Sequence, residues 1–340
     1  MSDNGEIRQY VLNIDGLEET VLTDRQTDRQ APLSQKIATS QKILKLAADM
    51  SKTYYNAQLI IAYSGGKDSD VLVRLAESCL KPDEYELFNS HTTVDAPETV
   101  YHIRNVFKEF EAKGVKTTID YHVRPDGKRE TMWSLIEKKG IPPTRIVRYC
   151  CQVLKEGGTP NRLTALGVRE AESTKRQGRD IFGIRGSTYA QTKFYSLDHT
   201  EEVHKEAQEI QDEVWDCMLI ANMRKHKSSV VNAIYFWQDT DIWDYIKQNN
   251  VVTNPLYEKG YKRIGCIGCP MASYTERMKE FADYPQYKKA YINAFDRMLK
   301  RNKEKGFKQN ANWKTGEDVF WRWIEEKNVK GQISMFDKEE

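Results

Sequence analysis

The sequence predicts an α/β protein with a doubly wound, Rossmann-like parallel sheet and a helical C-terminal subdomain. Apolar, β-prone runs alternate with segments of helical periodicity along most of the chain, which is typical of repeated βαβ units. The first such run ends at a glycine pair, and a helical pattern follows it directly. After residue 260 only helical patterns continue. These three observations favour a parallel sheet followed by a helical subdomain.

The spacing of apolar residues predicts the individual elements. Residues 33–55 have helical spacing, whereas 58–63 is a continuous β-prone run that indicates a buried parallel strand. Helical periodicity returns at 69–80. Further strands are predicted at 85–90, 117–123, 162–169 and 181–185, and further helices at 97–113, 131–139 and 239–249.

Composition and charge set further bounds. Of the 340 residues 39% are hydrophobic and 30% are charged, which is ordinary for a soluble globular protein. The net charge of +2 gives no overall sign of nucleic-acid binding, although a local basic groove stays open. No apolar run approaches the roughly 18–20 residues that span a bilayer, and no signal peptide opens the chain. We therefore expect a cytoplasmic protein without a membrane partner.

The loop after the first predicted strand has the sequence Ser-Gly-Gly-Lys-Asp-Ser at 64–69. Gly65 and Gly66 allow a tight turn and a close approach of the backbone to a ligand. Free N–H groups of the loop and the start of the next helix present positive potential to a phosphate. We therefore predict a phosphate-binding loop, which differs from the Walker A pattern. Gly65→Val is expected to abolish nucleotide binding and to leave the fold largely intact.

The side chains of this loop add to the predicted site. The hydroxyls of Ser64 and Ser69 can donate to phosphate oxygens, and Asp68 is suited to hold Mg²⁺ against them. Lys67 and Asp68 are predicted to act in catalysis, and the whole hexapeptide is predicted to bind the nucleotide. The alternative is a plain glycine turn with a capping serine.

At this loop the chain resembles the PP-loop nucleotide hydrolases, which cleave or hold a nucleotide at its α-phosphate. Further segments resemble the phosphoadenosine phosphosulfate (PAPS) reductase branch of that superfamily, and they occur in its expected order. The resemblance implies an adenine nucleotide as ligand, which is ATP, adenylyl sulfate (APS) or PAPS. The segments are Asn-Ser-His-Thr-Thr-Val-Asp-Ala-Pro-Glu-Thr at 89–99, Gly-Val-Arg-Glu-Ala-Glu-Ser at 167–173, Trp-Gln-Asp-Thr-Asp-Ile-Trp at 237–243 and Asn-Pro-Leu-Tyr at 254–257.

The segment that begins at residue 167 supplies the other candidate site residues. Arg169 and Arg176 can clamp phosphate or sulfate oxygens with forked donors. Glu172 can orient one of them, and Ser173 can donate to an anion. We predict catalytic roles for Arg169 and Glu172, and nucleotide binding by Arg169, Ser173 and Arg176. The alternative is a surface pairing of arginine and glutamate on a helix.

The segment at 237–243 is expected to be structural. Asp241 is expected to cap a helix, and Trp243 is expected to lie in the core.

Four of the six cysteines form a second predicted site. Cys150 and Cys151 are adjacent, and Cys266 and Cys269 form a C-x-x-C pair, which indicates metal binding before disulfides in a reducing compartment. Four thiolates can hold zinc or an iron–sulfur cluster. Adjacent thiolates diverge along the backbone, which suits the separated iron atoms of a 4Fe–4S cluster better than a single tetrahedral zinc. We predict the cluster, with zinc or no metal as the alternatives.

The chain departs from the reductases of the PAPS reductase family near its C-terminus. Those enzymes carry a catalytic cysteine in a Glu-Cys-Gly-Leu-His motif, whereas this chain has no cysteine after Cys269. The resemblance therefore favours an ATP pyrophosphatase and sulfurtransferase, close to the sulfurtransferase-type enzymes of DNA phosphorothioation. A sulfur donor or a thiol protein is the implied partner. The alternatives are an APS or PAPS reductase that uses a thiol partner in trans, and a nucleotide-binding regulator without turnover.

The motifs divide the chain into four predicted parts. Residues 1–35 form an N-terminal arm or small hairpin, 36–260 the PP-loop nucleotide-binding domain, 261–330 the helical subdomain with the C-x-x-C pair, and 331–340 a flexible tail. Gln332-Ile-Ser-Met-Phe336 in the tail resembles the pentapeptide by which many bacterial proteins bind the replication sliding clamp. This resemblance predicts DNA and the clamp as further partners. The alternative is a tail that folds back and buries its apolar residues on the chain's own surface.

Overall fold

The computed structural model describes residues 10–12, 20–22, 30–155, 159, 161–172, 181–184, 223, 225, 227–307 and 310–325. Two short N-terminal strands, β1 (Tyr10–Leu12) and β2 (Thr20–Leu22), pair antiparallel. The predicted clamp motif in the tail lies outside the described residues.

Six strands of the described residues form the main sheet, which confirms the predicted Rossmann-like α/β class. The strands are β3 (Leu59–Ala62), β4 (Tyr85–Ser90), β5 (Lys116–Asp120), β6 (Leu163–Ala165), β7 (Phe182–Ile184) and β8 (Ser229–Val231). Their order is β5-β4-β3-β6-β8-β7. β3 is parallel to β4 and β6, β6 is parallel to β8, and the edge strand β7 is antiparallel to β8.

The strand order reverses at β3. From β3 the chain continues to β4 and β5 on one side, and it later returns to β6 on the other side of β3. Ligands of open α/β sheets bind outside the carboxyl ends of the strands at such a reversal. The loop at 64–69 leaves β3 at that end, so the topology is consistent with a ligand site there.

The helices carry their apolar residues at the spacing that buries one face. In the first of them Ile43, Leu44 and Ala47 are fully buried, and this helix packs against the second helix and against β6. No described helix is long and apolar enough to cross a membrane. The helices are α1 (Leu33–Tyr55), α2 (Lys67–Cys79), α3 (Pro97–Ala112), α4 (Met132–Lys139), α5 (Tyr149–Leu154), α6 (Asp239–Gln248), α7 (Tyr274–Asp283), α8 (Pro285–Glu304) and α9 (Gly316–Glu325).

The structure differs from the prediction in three short elements. β8 and α5 were not predicted, because a strand of three residues and a helix of six are too short to show a periodic pattern. The strand predicted at 162–169 ends at Ala165. The N–H of Leu166 still bonds to the carbonyl of Val231, and the chain then leaves the sheet. Arg169 therefore lies in a loop and not in a strand.

The described residues form two compact units whose segments interleave along the chain. The first unit holds the main sheet and comprises the described parts of Met1–Asn89, Pro97–Asp120 and Thr159–Ile264. The second comprises those of Ser90–Ala96, Tyr121–Gly158 and Gly265–Glu340. The predicted domain ranges were consecutive, whereas the segment with the adjacent cysteine pair groups with the C-terminal helices.

Candidate nucleotide site and cysteine region

The loop at 64–69 is organised around the hydroxyl of Ser69. This hydroxyl donates to Gly66 O at 2.8 Å, and it accepts the N–H groups of Gly66 at 3.2 Å and Ser64 at 3.3 Å. Ser69 is buried, whereas Ser64 is exposed. Of the two predicted hydroxyl donors, Ser69 thus fixes the turn, and the exposed Ser64 has its hydroxyl 3.2 Å from Ser69 Oγ.

Gly65 is required by the fold itself. Its φ of +73° lies in the left-handed region, and an added Cβ would lie 2.9 Å from Ile103 Cγ1 and 3.1 Å from Thr99 Cγ2 on α3. In Gly65→Val the new side chain would meet packed side chains of α3, so the variant is expected to lose stability as well as ligand binding. Gly66 has more room, since its added Cβ would lie 3.5 Å from Tyr257 Oη.

The segment at 254–257 also holds the loop. The fully buried Asn254 donates from Nδ2 to Gly65 O and to Thr99 Oγ1, both at 3.0 Å. Tyr257 Oη accepts the N–H of Lys67 at 2.8 Å. The sequence showed these residues only as part of a motif, and no pattern within the segment indicated contact with a loop about 190 residues earlier.

Two cations and two carboxylates meet at the first turn of α2. Arg169 donates from Nε to Asp68 Oδ1 and from Nη2 to Asp239 Oδ1, both at 2.5 Å. Lys67 Nζ lies 3.1 Å from Asp68 Oδ2 and 3.3 Å from Asp239 Oδ1. Arg169 is 1% exposed. The structure thus brings three predicted catalytic residues together and adds Asp239, which the sequence reasoning missed.

Asp239 is held in its charged form. Burial raises the pKa of this carboxyl, but the hydrogen bond from Arg169 and the charge of Lys67 outweigh it and hold the pKa below its ordinary value. Its side chain is largely exposed, with 70% of its surface accessible. A charged, accessible carboxylate at this position can exchange its cation partners when an anionic ligand arrives.

The two tryptophans at 237–243 differ in burial, and the expectation for Trp243 is wrong. Trp243, expected in the core, is 39% exposed, and its ring meets that of Tyr257 edge-on at 5.3 Å between centroids. Trp237 is the fully buried one, and its Nε1 donates to Ser40 Oγ at 3.0 Å. Asp241 caps α6 as expected, because its Oδ2 accepts the N–H of Gln238 at 2.6 Å.

A buried polar cluster ties β3, α2 and α3 together next to the loop. Tyr63 donates from Oη to Asp70 Oδ1 at 2.5 Å, and His102 Nε2 lies 2.9 Å from each of these two oxygens. Burial, and after it the charge of Asp70, raises the pKa of Tyr63 well above that of a free phenol. Tyr63 therefore stays a hydrogen-bond donor, and the cluster fixes the start of α2 in place.

The remaining residues predicted at 172–176 fall into two groups. Glu172 accepts the backbone N–H of Arg169 at 3.3 Å and closes the short 3-10 turn that follows this arginine. Ser173 and Arg176 lie outside the described residues. Their roles in nucleotide binding remain predictions.

All four predicted ligand cysteines belong to the second compact unit. Cys150 and Cys151 lie in the first turn of α5, and Arg148 Nη2 is 3.3 Å from Cys151 Sγ. Hydrogen bonds from the Cys150 thiol and then from Arg148 outweigh desolvation and lower the pKa of Cys151 below that of an ordinary thiol, whereas the pKa of Cys150 is raised.

The other pair lies in a turn that its neighbours hold firmly. The N–H of Cys269 donates to Cys266 O at 3.1 Å. Gly268 has a φ of +72°, and an added Cβ would lie 2.5 Å from Phe281 Cζ. Glu280 Oε2 accepts the N–H of Gly268 at 2.7 Å. The backbone between the two thiols is thus fixed by packing and by hydrogen bonds.

Lys155 links the two thiol pairs electrostatically. Desolvation raises the pKa of Cys266 to about 11, and the charge of Lys155 opposes this shift. The pKa of Lys155 is itself raised, by Cys266 first and with smaller contributions from Cys151 and Cys269. Within the ranges that the structure describes, no three His, Cys, Asp or Glu side chains are grouped closely enough to hold a metal ion. The thiols are neighbours here, but they do not form an assembled ligand set.

Known proteins resemble this chain over most of its length. Residues 58–272, more than half of the chain, match the phosphoadenosine phosphosulfate reductase domain. An uncharacterized protein of Methanocaldococcus jannaschii is 24% identical over 84% of this chain and 58% of its own length, and a second one is matched over 45% of its length. The chain therefore spans about half the length of these relatives.

Two further comparisons carry descriptive names. The adenosine 5'-phosphosulfate reductase of Lysinibacillus sphaericus is 24% identical over 65% of this chain and 77% of its own length. The U34-tRNA thiolase NcsA from Methanococcus maripaludis, solved with its 4Fe–4S cluster, aligns with a TM-score of 0.39 and 13% identity over 90% of this chain and 86% of that chain. A similarity of that size has no bearing on the reaction.

Proposed function

Because the chain belongs to the phosphoadenosine phosphosulfate reductase family, we propose that it is an ATP pyrophosphatase that acts in sulfur transfer. The observation that carries the proposal is the meeting of Lys67, Asp68 and Arg169 at the start of α2, directly after β3. Two cations can take up the negative charge of a reacting phosphate, and a carboxylate can hold Mg²⁺ beside it. The N–H groups of the loop add to the same potential.

The proposed reaction is a displacement at the α-phosphate of ATP. An acceptor oxygen bonds to the α-phosphorus, the bond to the oxygen that bridges to the β-phosphate breaks, and pyrophosphate leaves with that electron pair. Lys67, and Arg169 through its Nε, would turn from Asp68 to the phosphate oxygens and stabilise the developing charge, while Arg169 Nη2 stays on Asp239. Asp68 would hold Mg²⁺, which neutralises phosphate charge when it is bound. Asp239 would keep Arg169 oriented.

For the second site we propose Cys150, Cys151, Cys266 and Cys269 as ligands of a 4Fe–4S cluster. Four thiolates are a complete ligand set for such a cluster, and it would supply a centre for binding sulfur or passing electrons. The donor chemistry fits, because Arg148 and Lys155 place positive charge next to thiols that must lose their protons. Zinc is the alternative metal for the same four thiolates.

A second candidate function is the reduction of APS or PAPS by a thiol partner in trans. The similarity to an adenosine 5'-phosphosulfate reductase over 65% of the chain favours it. Residues 270–340 contain no cysteine, so a reductase built on these residues would need the thiol of its partner. DNA as the sulfur acceptor, with the sliding clamp as a partner through 332–336, is a further proposal that rests on the tail sequence alone.

The test is to offer ATP, APS and PAPS to anaerobically purified protein, with and without DNA, and to measure pyrophosphate and sulfite. We expect pyrophosphate from ATP and a loss of roughly 100-fold or more in Asp68→Asn. Sulfite release from either sulfonucleotide, in the presence of a thiol reductant, would establish the reductase instead. Nucleotide binding without either product would indicate a regulator.

A further inference from the structure

The hydroxyl of Tyr257 contacts the phosphate loop at a group that an anion would otherwise bind. It accepts the N–H of Lys67, the first residue of α2, at 2.8 Å. The N–H groups of the first helical turn have no acceptor within the helix, and they point toward a ligand at the helix start. Tyr257 is therefore bonded to one of the donors that define the phosphate site.

The same hydroxyl keeps its own hydrogen available. A phenol can accept one hydrogen bond and donate another at the same time. In the part of the chain that the structure describes, Tyr257 donates to no acceptor. Burial raises the pKa of Tyr257, the bond from Lys67 lowers it, and the charges of Asp68, Asp70 and Asp239 raise it further, so that the phenol is protonated at neutral pH.

The surroundings of Tyr257 favour donors over acceptors. Asn254, three residues earlier, engages the carbonyl of Gly65, so this acceptor is bound within the protein and cannot repel an anion. The ring of Trp243 packs edge-on against the ring of Tyr257. This packing involves the ring and not the hydroxyl, and a phenylalanine at position 257 would keep it.

We propose that Tyr257 is a phosphate-binding residue, which accepts the N–H of Lys67 and donates its own hydrogen to a phosphate oxygen of the bound nucleotide. The proposal rests on the proposed function only in taking the ligand of the loop to be a phosphate ester. A hydroxyl that already accepts a hydrogen bond is the stronger donor for it, because the two bonds polarise each other. Tyr257 would thereby extend the positive potential of the helix start by one hydrogen bond.

The test compares Tyr257→Phe with Tyr245→Phe, a matched change on α6 of a tyrosine that packs on Trp237 away from the loop contacts. Calorimetry on the full chain measures the binding of pyrophosphate and of adenosine. We expect Tyr257→Phe to bind pyrophosphate about 10-fold more weakly, as for the loss of a hydrogen bond to a charged group, with adenosine binding and unfolding temperature unchanged. Tyr245→Phe should match the wild type in all three.

Two results would overturn the proposal. Unchanged or tighter binding of pyrophosphate to Tyr257→Phe would mean that the phenol only covers the empty loop. An equal loss of adenosine binding in Tyr257→Phe would mean that Tyr257 supports the structure of the whole site and does not bind the phosphate. A wild-type protein that binds pyrophosphate but releases none from ATP would refute the proposed function, and a 10-fold effect of Tyr257→Phe on pyrophosphate binding would still support the role of Tyr257.

Discussion

The candidate phosphate loop at 64–69 and the turn at 266–269 are built alike, but their proposed ligand sets are completed differently. Each contains a glycine with positive φ, Gly65 at +73° and Gly268 at +72°, and each glycine faces packed side chains that leave no space for a Cβ. In the loop the hydroxyl, the N–H groups and two charged side chains come from six consecutive residues. In the cysteine region half of the thiols come from 266–269 and the other half from α5, more than 100 residues earlier.

This difference shows which site the fold can prepare without a ligand. A ligand set that is local in sequence is fixed once its turn is fixed, as the bonds around Ser69 show. A set drawn from two distant segments depends on tertiary packing and on the energy of metal binding, which is coupled to folding at such sites. The four thiols are near one another, yet no three of the described ligand-type side chains form a metal-binding group. If the proposed cluster is bound at these four cysteines, its binding has to draw the two pairs together.

The largest expected effect is the loss of all bound iron when one thiol is removed. Anaerobically prepared wild type should contain about four irons per chain and absorb at about 400 nm. Serine at position 150, 151, 266 or 269 should each abolish both signals, because an incomplete thiolate set cannot hold the cluster. Cys79→Ala, a change on α2 in the other unit, is the control and should keep the iron. Colourless wild-type protein with one zinc per chain would contradict the cluster.

The next effect concerns the buried guanidinium of the nucleotide site. Arg169→Met leaves Asp68 and Asp239 without their shared partner and should lower the free energy of unfolding by about 3 kcal/mol. The loss should not be larger, because the side chain of Asp239 is largely exposed and water can solvate its unpaired charge. Urea unfolding measures the change. Arg169→Lys keeps the positive charge but loses the forked guanidinium. Its free energy of unfolding should lie between those of the wild type and Arg169→Met. A loss below about 1 kcal/mol in Arg169→Met would show that the pairing is not structural.

A smaller loss of stability is expected at the glycine of the loop. Gly65→Val combines a strained φ with contacts to Ile103 and Thr99, and it should cost about 2 kcal/mol in the free energy of unfolding. Gly66→Ala is the matched control, because its Cβ would be at ordinary contact distance from its neighbours, 3.5 Å from Tyr257 Oη and 3.7 Å from Ser64 Oγ, and it should unfold like the wild type. Equal stability of the two variants would contradict the close contact of Gly65 with Ile103 and Thr99 on α3.

The smallest effect is a pH dependence from Asp239. Because its pKa in the folded state is below that of the unfolded chain, Asp239 contributes stability at neutral pH, and this contribution fades as the pH falls below about 4. Asp239→Asn should be less stable than the wild type at pH 7, and the difference should narrow toward pH about 2. Unfolding curves across this range provide the measurement. A difference that stays constant with pH would mean that the carboxylate charge plays no part.

Glu109→Gln is the control for this pH dependence. The hydrogen bond from Arg74 lowers the pKa of Glu109 to about 2, and neither residue contacts the loop hexapeptide in the hydrogen bonds described. The difference in stability between Glu109→Gln and the wild type should also narrow as the pH falls. The affinity of Glu109→Gln for pyrophosphate should stay at the wild-type value, because the change lies away from the loop.

The sequence was sufficient for the parts of the molecule that are local in the chain. β4 at 85–90 and α1 at 33–55 were predicted with their observed bounds, because each is a long, regular apolar pattern. The hexapeptide at 64–69 was identified as the candidate phosphate loop from its own residues and the strand before it.

The parts that the sequence did not reveal depend on contacts between distant segments. Asn254, Tyr257 and Asp239 contact the loop across about 170 residues or more, and nothing in their own neighbourhoods distinguishes them from capping or turn residues. The exposure of Trp243 on α6 has a similar cause, since the spacing of apolar residues along a helix does not say which of them other segments cover.

The identity of the products formed from ATP tests the central proposal most directly. Cleavage at the α-phosphate yields AMP, free or attached to the acceptor, and one pyrophosphate, whereas cleavage at the γ-phosphate yields ADP and phosphate. With Mg²⁺ and ATP labelled at the α-phosphate, we predict label in AMP or an adenylylated acceptor and pyrophosphate in equal amount, and Asp68→Asn should form both products more slowly, by roughly 100-fold or more. ADP as the labelled product, or equal turnover by Asp68→Asn, would contradict the assignment of this loop as the site of an ATP pyrophosphatase.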